Sequence, residues 1–206
     1  MALTKKHKIT FVLFVLMILA SAIFMRLVPH LPNFAPITAA ALFGAAYLPK
    51  KYILIVPLAV VAISDYLLLY VSPFSAQIFN FSRIHPLGDM VHSTTFWVWG
   101  SFMVSALIGL FLRKKVSALR VGTASLLASI QFFLITNFGV WAAGAYARDF
   151  SGLITSYIAG LPFFGWTALG DLFYSASFFG IYALALKHSV AENKKSSLKR
   201  KVQVSL

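Results

Sequence analysis

The sequence predicts an all-α integral membrane bundle of six transmembrane helices, with a short interfacial or re-entrant helix before the last span. Apolar residues make up 60 % of the 206 residues and charged residues only 11 %, whereas soluble domains are about one quarter charged. A hydrocarbon core about 30 Å thick needs about 20 residues per helix, so this length allows five to seven spans in one domain. That domain, residues 9–186, lies between a basic N-terminus (1–8) and a basic tail (187–206).

The apolar runs place the spans in order along the chain. They lie at residues 9–25, 36–48, 52–70, 93–112, 121–137 and 166–186. The second and third form a hairpin around Pro49-Lys50-Lys51. Residues 138–165 are interrupted by Arg148-Asp149 and Pro162, which favours a re-entrant or interfacial excursion with a short helix near 153–161. The polar tail is expected to be disordered.

Two features of the first span allow another interpretation. A basic start and an apolar run ending near Ala20-Ser21-Ala22 also resemble a secretory signal peptide. The apolar run continues beyond that possible cleavage site, however, which favours a retained transmembrane helix.

The distribution of basic residues predicts the orientation. Of the 18 Lys and Arg residues, the segments expected outside contain only Arg26, Arg83 and Arg148. Because cytoplasmic loops retain Lys and Arg, both termini are expected in the cytoplasm, with the protein in the cytoplasmic (inner) membrane. The net charge of +13 is therefore attributed to topology and to attraction by anionic lipids, and no nucleic-acid partner is expected.

Two acids lie inside predicted spans. Asp65 and Asp171 both fall in the outer third of the bundle by residue count. An acid at such a depth is costly unless it faces the protein interior or a wet cavity. Each acid is interpreted either as a helix cap or partner of an outer arginine, or as part of a functional site.

Other polar and aromatic residues are expected on the same side. Asn33 opens the second span and Asn137 closes the fifth, and all four tryptophans fall in the outer half, as an interfacial belt or a pocket lining. Convergence in one water-filled pocket costs less than several separate polar sites. The predicted substrate-binding residues of one outward-facing cavity are Asn33, Asp65, Trp97, Asn137, Trp141 and Asp171.

Motifs for catalysis are missing from the sequence. It contains no nucleophile with a matching base, no glycine-rich phosphate loop and no metalloprotease His-Glu pair. His85, Asp89 and His92 have helical spacing for a metal site, but Pro86 and Gly88 favour a loop. No enzyme activity, cofactor or metal is therefore predicted. Small residues four positions apart, such as Ser105 and Gly109, predict close helix packing.

Several segments carry a family resemblance over about residues 10–186. They are Pro29-His30, Asn33-Phe34-Ala35-Pro36, residues 39–48, Ser64-Asp65, Thr136-Asn137-Phe138-Gly139-Val140-Trp141, Leu161-Pro162-Phe163-Phe164 and Gly170-Asp171. In these the chain resembles an uncharacterised bacterial membrane-protein family. That family is similar to the substrate-binding S components of energy-coupling-factor (ECF) vitamin transporters.

The resemblance implies a six-helix protein whose outward-facing site is roofed by the loops between helices one and two and between helices five and six. It also implies a transmembrane coupling subunit with ATPases as a partner. S components often carry an Ala-x-x-x-Ala docking pattern in helix one, and here that helix offers only Ala20-Ser21-Ala22.

The function expected from these observations is binding of a small molecule at the outer face and participation in its uptake. The chain has no nucleotide motif, so the energy is expected to come from a partner or an ion gradient. The alternative is a structural or assembly membrane protein whose polar residues only hold its helices together.

Overall fold

The computed structural model describes residues 5–73, 75 and 78–204. Over these residues the protein is all-helical, apart from an isolated antiparallel bridge between Val71 and Phe79. Its helices are α1 Lys5–Leu27, α2 Ile37–Tyr47, α3 Ile55–Leu68, α4 Thr95–Gly109, α5 Ala118–Ala142 and α6 Phe150–Val204. Short 3₁₀ turns occupy Lys50–Tyr52, Leu87–Met90 and Leu110–Arg113.

Four helical stretches in the described part of the chain are long and apolar enough to cross a membrane. These are Lys50–Leu68, Thr95–Arg113, Ala118–Ala142 and Phe150–His188. Two further apolar helices are shorter, Phe11–Leu27 and Ile37–Tyr47. The apolar composition and these helices are compatible with a membrane protein, as the sequence predicts.

Helix α2 is the centre of the bundle. It contacts each of the other five helices, and every residue from 37 to 45 is buried. A helix that is apolar on all sides is expected in such a position, because it has no polar face to present to solvent. The helix is short, 11 residues, or about 16 Å at 1.5 Å per residue.

Small residues let α2 and α4 approach closely. A Cβ atom built on Gly109 would lie 2.7 Å from Cβ of Ala45, so only glycine fits there without movement. The Arg113 side chain then closes the end of α2, with its Nε donating to the carbonyl of Ala45 at 2.7 Å and its guanidinium also donating to the carbonyl of Leu48. These bonds satisfy carbonyls that the helix end leaves without partners.

The segment before the last predicted span differs from the sequence expectation. The expected short helix near 153–161 is part of α6, which starts at Phe150 and continues through Pro162. The prediction of a separate short helix before the last span is therefore wrong. Side chains before the proline hold this part of α6 against α5, since Ser156 Oγ donates to the Asn137 carbonyl and Tyr157 OH to the Leu134 carbonyl. Helices in lipid tolerate proline where neighbouring groups support the chain.

The Arg148-Asp149 interruption is the start signal of this long helix. Gly144, with a φ of +88°, follows the end of α5, and Asp149 Oδ1 accepts from the backbone N–H of Gly152 at 2.7 Å. An aspartate in this position satisfies a free N–H at the helix start.

The backbone of the basic tail also differs from the expected disorder. It continues α6 as helix to Val204. Ala, Glu, Lys and Leu are good helix formers, and extending an existing helix carries no nucleation cost.

Candidate functional site

A cavity of about 730 Å³ lies where α1 and α3 end and α2 and α4 begin. All six helices contribute to its wall. Among the lining residues are Arg26, Thr38, Asp65, Phe102, Phe132 and Asp171. We call this space the polar cavity. It lies at the end of the bundle away from the Pro49-Lys50-Lys51 turn, because that turn joins the opposite ends of α2 and α3.

An ion pair forms one side of the polar cavity. Arg26, in the last turn of α1, places its guanidinium 2.6 Å from Oδ1 of Asp65 on α3. Trp99 on α4 donates from Nε1 to the other oxygen, Oδ2, at 2.7 Å, and Arg26 also donates to the Ser64 hydroxyl. The Arg26 and Asp65 side chains are 19 % and 14 % exposed. Both Asp65 oxygens are therefore occupied by protein donors from two other helices, which joins α1, α3 and α4.

The second acid is held differently. Asp171 on α6 is 1 % exposed, and its Oδ2 accepts from the Ser129 hydroxyl of α5 at 2.7 Å. Thr38 of α2 lies near the same carboxyl group. Both neighbours are neutral hydroxyls, and none of the ion pairs among the described residues includes Asp171.

A family comparison covers nearly the whole chain. A sequence model described as a family of unknown function, DUF6580, matches residues 5–195. The chain belongs to this family. No curated protein and no solved structure matches the chain. These comparisons add no support for the likeness to ECF S components, which stays a proposal.

In this DUF6580 member, three of the six predicted binding residues lie together. Asn33, Asp65 and Asp171 all line the polar cavity. Asn33 has a positive φ of 62°, a backbone conformation that asparagine adopts more readily than most residues. The positive φ thus gives a backbone reason for asparagine at this position, in addition to its place in the cavity wall.

The other three predicted residues are not among the residues that line the polar cavity. Asn137 donates from Nδ2 to the Phe133 carbonyl and lies against Gly160 of α6. Trp97 packs on Gly139 of α5. Their depth was predicted from residue counts, but depth does not determine which face of a helix a residue occupies.

Trp141 is also away from this cavity. Its indole Nε1 donates to the Ala147 carbonyl at 2.9 Å, so it braces the turn between α5 and α6. Its ring also packs on Phe138 at 5.4 Å between centroids. Its contacts support the loop and explain the tryptophan without a ligand.

Of the two neighbouring tryptophans, Trp99 contacts Asp65, and neither Trp97 nor Trp99 is among the residues that line the polar cavity. Residues two apart on a helix point about 200° apart, so Trp97 and Trp99 face different neighbours. Depth by residue count does not separate the two, and α4 contacts α2, α3 and α5. Arg26, in contrast, was identifiable as a candidate partner of the acids from its place at the end of span one.

The polar loop before α4 contains no cluster of three metal-ligating side chains among the described residues. His85 Nδ1 and Arg83 both contact Asp89 Oδ2, at 2.9 and 2.8 Å. His92 Nδ1 instead contacts the Thr94 hydroxyl at 3.1 Å. The contacts of His85 and Asp89 hold the loop together.

Proposed function

We propose that the protein is a six-span membrane protein that binds a small molecule in the polar cavity and takes part in its uptake. The observation that carries this proposal is the cavity itself. Its volume of about 730 Å³ falls within the range of about 300–1,000 Å³ that is usual for ligand sites. Its wall combines two acids and an arginine with phenylalanine side chains, which is the mixture of polar and apolar groups that small-molecule sites use.

The expected topology is consistent with a binding site that faces outward. Lys50 and Lys51 lie in the turn opposite the polar cavity, and Arg113 with Lys114 and Lys115 follows α4 at its far end. Under the positive-inside rule the cavity then opens to the outside of the cytoplasmic membrane. In this arrangement α2 is a short span enclosed by protein, and only part of α6, whose apolar stretch has 39 residues, lies within the bilayer core.

Uptake rather than binding alone rests on the resemblance to S components. We propose that energy comes from a membrane coupling subunit with ATPases or from an ion gradient, because the sequence offers no phosphate-binding loop of its own. A protein of this kind binds its ligand by itself but needs an energy source outside the chain to accumulate the ligand inside the cell.

A structural or assembly role is the second candidate. It is favoured by the observation that both acids have partners within the protein, since Arg26 and Trp99 hold Asp65 and Ser129 holds Asp171. On this account the polar residues stabilise the bundle and no ligand is needed.

Ligand-dependent thermal stability separates the two candidates. A ligand at 100 times its Kd stabilises the folded protein by about 2.7 kcal/mol. Val98 lines the polar cavity, so Val98→Trp fills part of it. Leu107 is 49 % exposed on the same helix and is absent from that wall, so Leu107→Trp is the matched control.

The three proteins are purified in lipid nanodiscs and screened against a small-molecule library. We expect at least one compound to raise the melting temperature of the wild type and of Leu107→Trp but not of Val98→Trp. The melting temperature of each protein without compound reports whether the variant folds. Stabilisation that persists unchanged in a folded Val98→Trp variant would contradict binding in the polar cavity.

A further inference from the structure

We infer that the polar cavity takes an organic cation, a small amine with an apolar or aromatic body, and that the Asp171 carboxylate is its counter-ion. This inference rests on the proposed function and adds the chemical class of the ligand.

Apart from two histidines, His30 and His92, the charged residues of the cavity wall do not balance. Its Lys, Arg, Asp and Glu residues are Arg26, Asp65 and Asp171. Arg26 and Asp65 neutralise each other at 2.6 Å, and Trp99 occupies the second carboxylate oxygen of Asp65. The guanidinium is thus committed to an acid within the protein, and Asp171 is left as the acid without a cationic partner.

Asp171 receives a hydrogen bond but no opposite charge. The Ser129 hydroxyl donates to it and the Thr38 hydroxyl lies nearby, and a hydroxyl stabilises a carboxylate without neutralising it. Ser129 Oγ also lies 3.0 Å from the Ser125 carbonyl, and a hydroxyl has one proton to donate. A buried acid in this position is stabilised in its charged form by an added cation that donates hydrogen bonds, which an ammonium group does.

The rest of the wall fits the body of such a molecule. Phe102, Phe132 and Phe163 line the same cavity from α4, α5 and α6, and the rings of Phe102 and Phe132 are 5.1 Å apart between centroids. Aromatic faces attract cations and also bury apolar groups. An anionic ligand, in contrast, would meet an uncompensated carboxylate and an arginine that is already paired.

Three probes with one carbon skeleton test the charge preference. They are phenylbutylamine, phenylbutanol and phenylbutyrate, which are cationic, neutral and anionic. Binding is measured by calorimetry to the protein in nanodiscs of zwitterionic lipid, with empty nanodiscs subtracted. We expect the amine to bind the wild type at least about tenfold more tightly than the alcohol, as one desolvated charge pair allows, and the anion to bind least.

Two aspartate variants locate the effect. Asp171→Asn keeps the shape and can still accept from Ser129, so it is expected to lose the amine preference while retaining the alcohol. Asp149→Asn makes the same chemical change in the loop before α6, where asparagine also caps a helix start. It is expected to behave as the wild type.

Each result has a distinct meaning for the two proposals. Equal binding of amine and alcohol to the wild type, or an amine preference that survives in Asp171→Asn, would overturn the cation inference. Either outcome would mean that Asp171 is protonated or does not face the bound molecule. If the alcohol still binds and Val98→Trp abolishes that binding, the proposed function stands without the cation inference. Failure of all three probes to bind the wild type would also overturn the cation inference, and the library screen would then decide the proposed function separately.

Discussion

Replacing Gly109 by alanine tests the packing that positions the polar cavity. The added Cβ would lie 2.7 Å from Cβ of Ala45 and 3.0 Å from both Cα and the carbonyl oxygen of Leu42. These atoms belong to the second half of α2, and both residues are fully buried. None of them can swing aside as the end of a flexible side chain could, so the helices themselves must separate.

The size of the effect follows from two opposing contributions. Ordinary contact begins near 3.4 Å, so the closest pair must open by 3.4 − 2.7 = 0.7 Å. Forcing an extra methyl group into a well-packed core costs about 1–3 kcal/mol, whereas alanine is favoured over glycine inside a helix by about 1 kcal/mol. Gly109 is the last residue of α4, which reduces the second contribution. We expect a net destabilisation of about 1–2 kcal/mol.

Gly100 is the matched control on the same helix. A Cβ atom there meets no heavy atom within 4 Å, so Gly100→Ala is expected to stabilise the protein by up to about 1 kcal/mol through helix propensity alone. Both variants are compared with the wild type by titration with a denaturing detergent, followed by the loss of helical circular dichroism. The close approach of α2 and α4 is refuted if Gly109→Ala is as stable as Gly100→Ala.

Three further predictions concern the ion pair and the topology. Arg26→Met leaves Asp65 with its tryptophan donor but no counter-charge. It should destabilise the protein by about 2–3 kcal/mol, which is less than the roughly 3–5 kcal/mol of a fully buried pair because both side chains are partly exposed. Adding Asp65→Asn should recover part of this loss, and a double variant less stable than Arg26→Met would contradict the pairing. Trp99→Phe removes one bond to a charged acceptor and should cost about 1–2 kcal/mol in the same titration. The protein has no native cysteine, so Ile84→Cys should react with an impermeant thiol reagent outside intact cells while Lys114→Cys should not, and the reverse labelling would invert the orientation.

The helical hairpin and most helices could be predicted from hydropathy and from the proline and charged residues that mark helix ends. Pro49-Lys50-Lys51 marks the turn between α2 and α3 because two cations and a proline are poorly accommodated within an apolar helix. The continuous α6 could not be predicted in this way, because Pro162 is an equally good signal for a helix end. The outcome depends on Ser156 and Tyr157 bonding to α5, and these contacts between separate helices leave no local trace in the sequence.

The shared cavity of Asp65 and Asp171 could be predicted from their depth and from the cost of isolated acids in lipid. Their partners depend on helix rotation and on neighbour identity, which depth does not give. Asn137 has the same depth signal as Asn33, yet it faces Gly160 of α6. Trp99 lies two residues from the predicted Trp97 and makes the contact with Asp65. Such assignments require the rotation and neighbours of each helix in the bundle, which the sequence pattern alone does not supply.

Occupancy of the polar cavity is the central claim, and mass spectrometry of co-purified small molecules tests it most directly. The wild type, Val98→Trp and Leu107→Trp are purified in parallel from the same culture volume and extracted with solvent. The account predicts at least one compound that is retained in stoichiometric amount by the wild type and by Leu107→Trp and is depleted in Val98→Trp. Equal retention of every detected compound by all three folded proteins would contradict a ligand in the polar cavity.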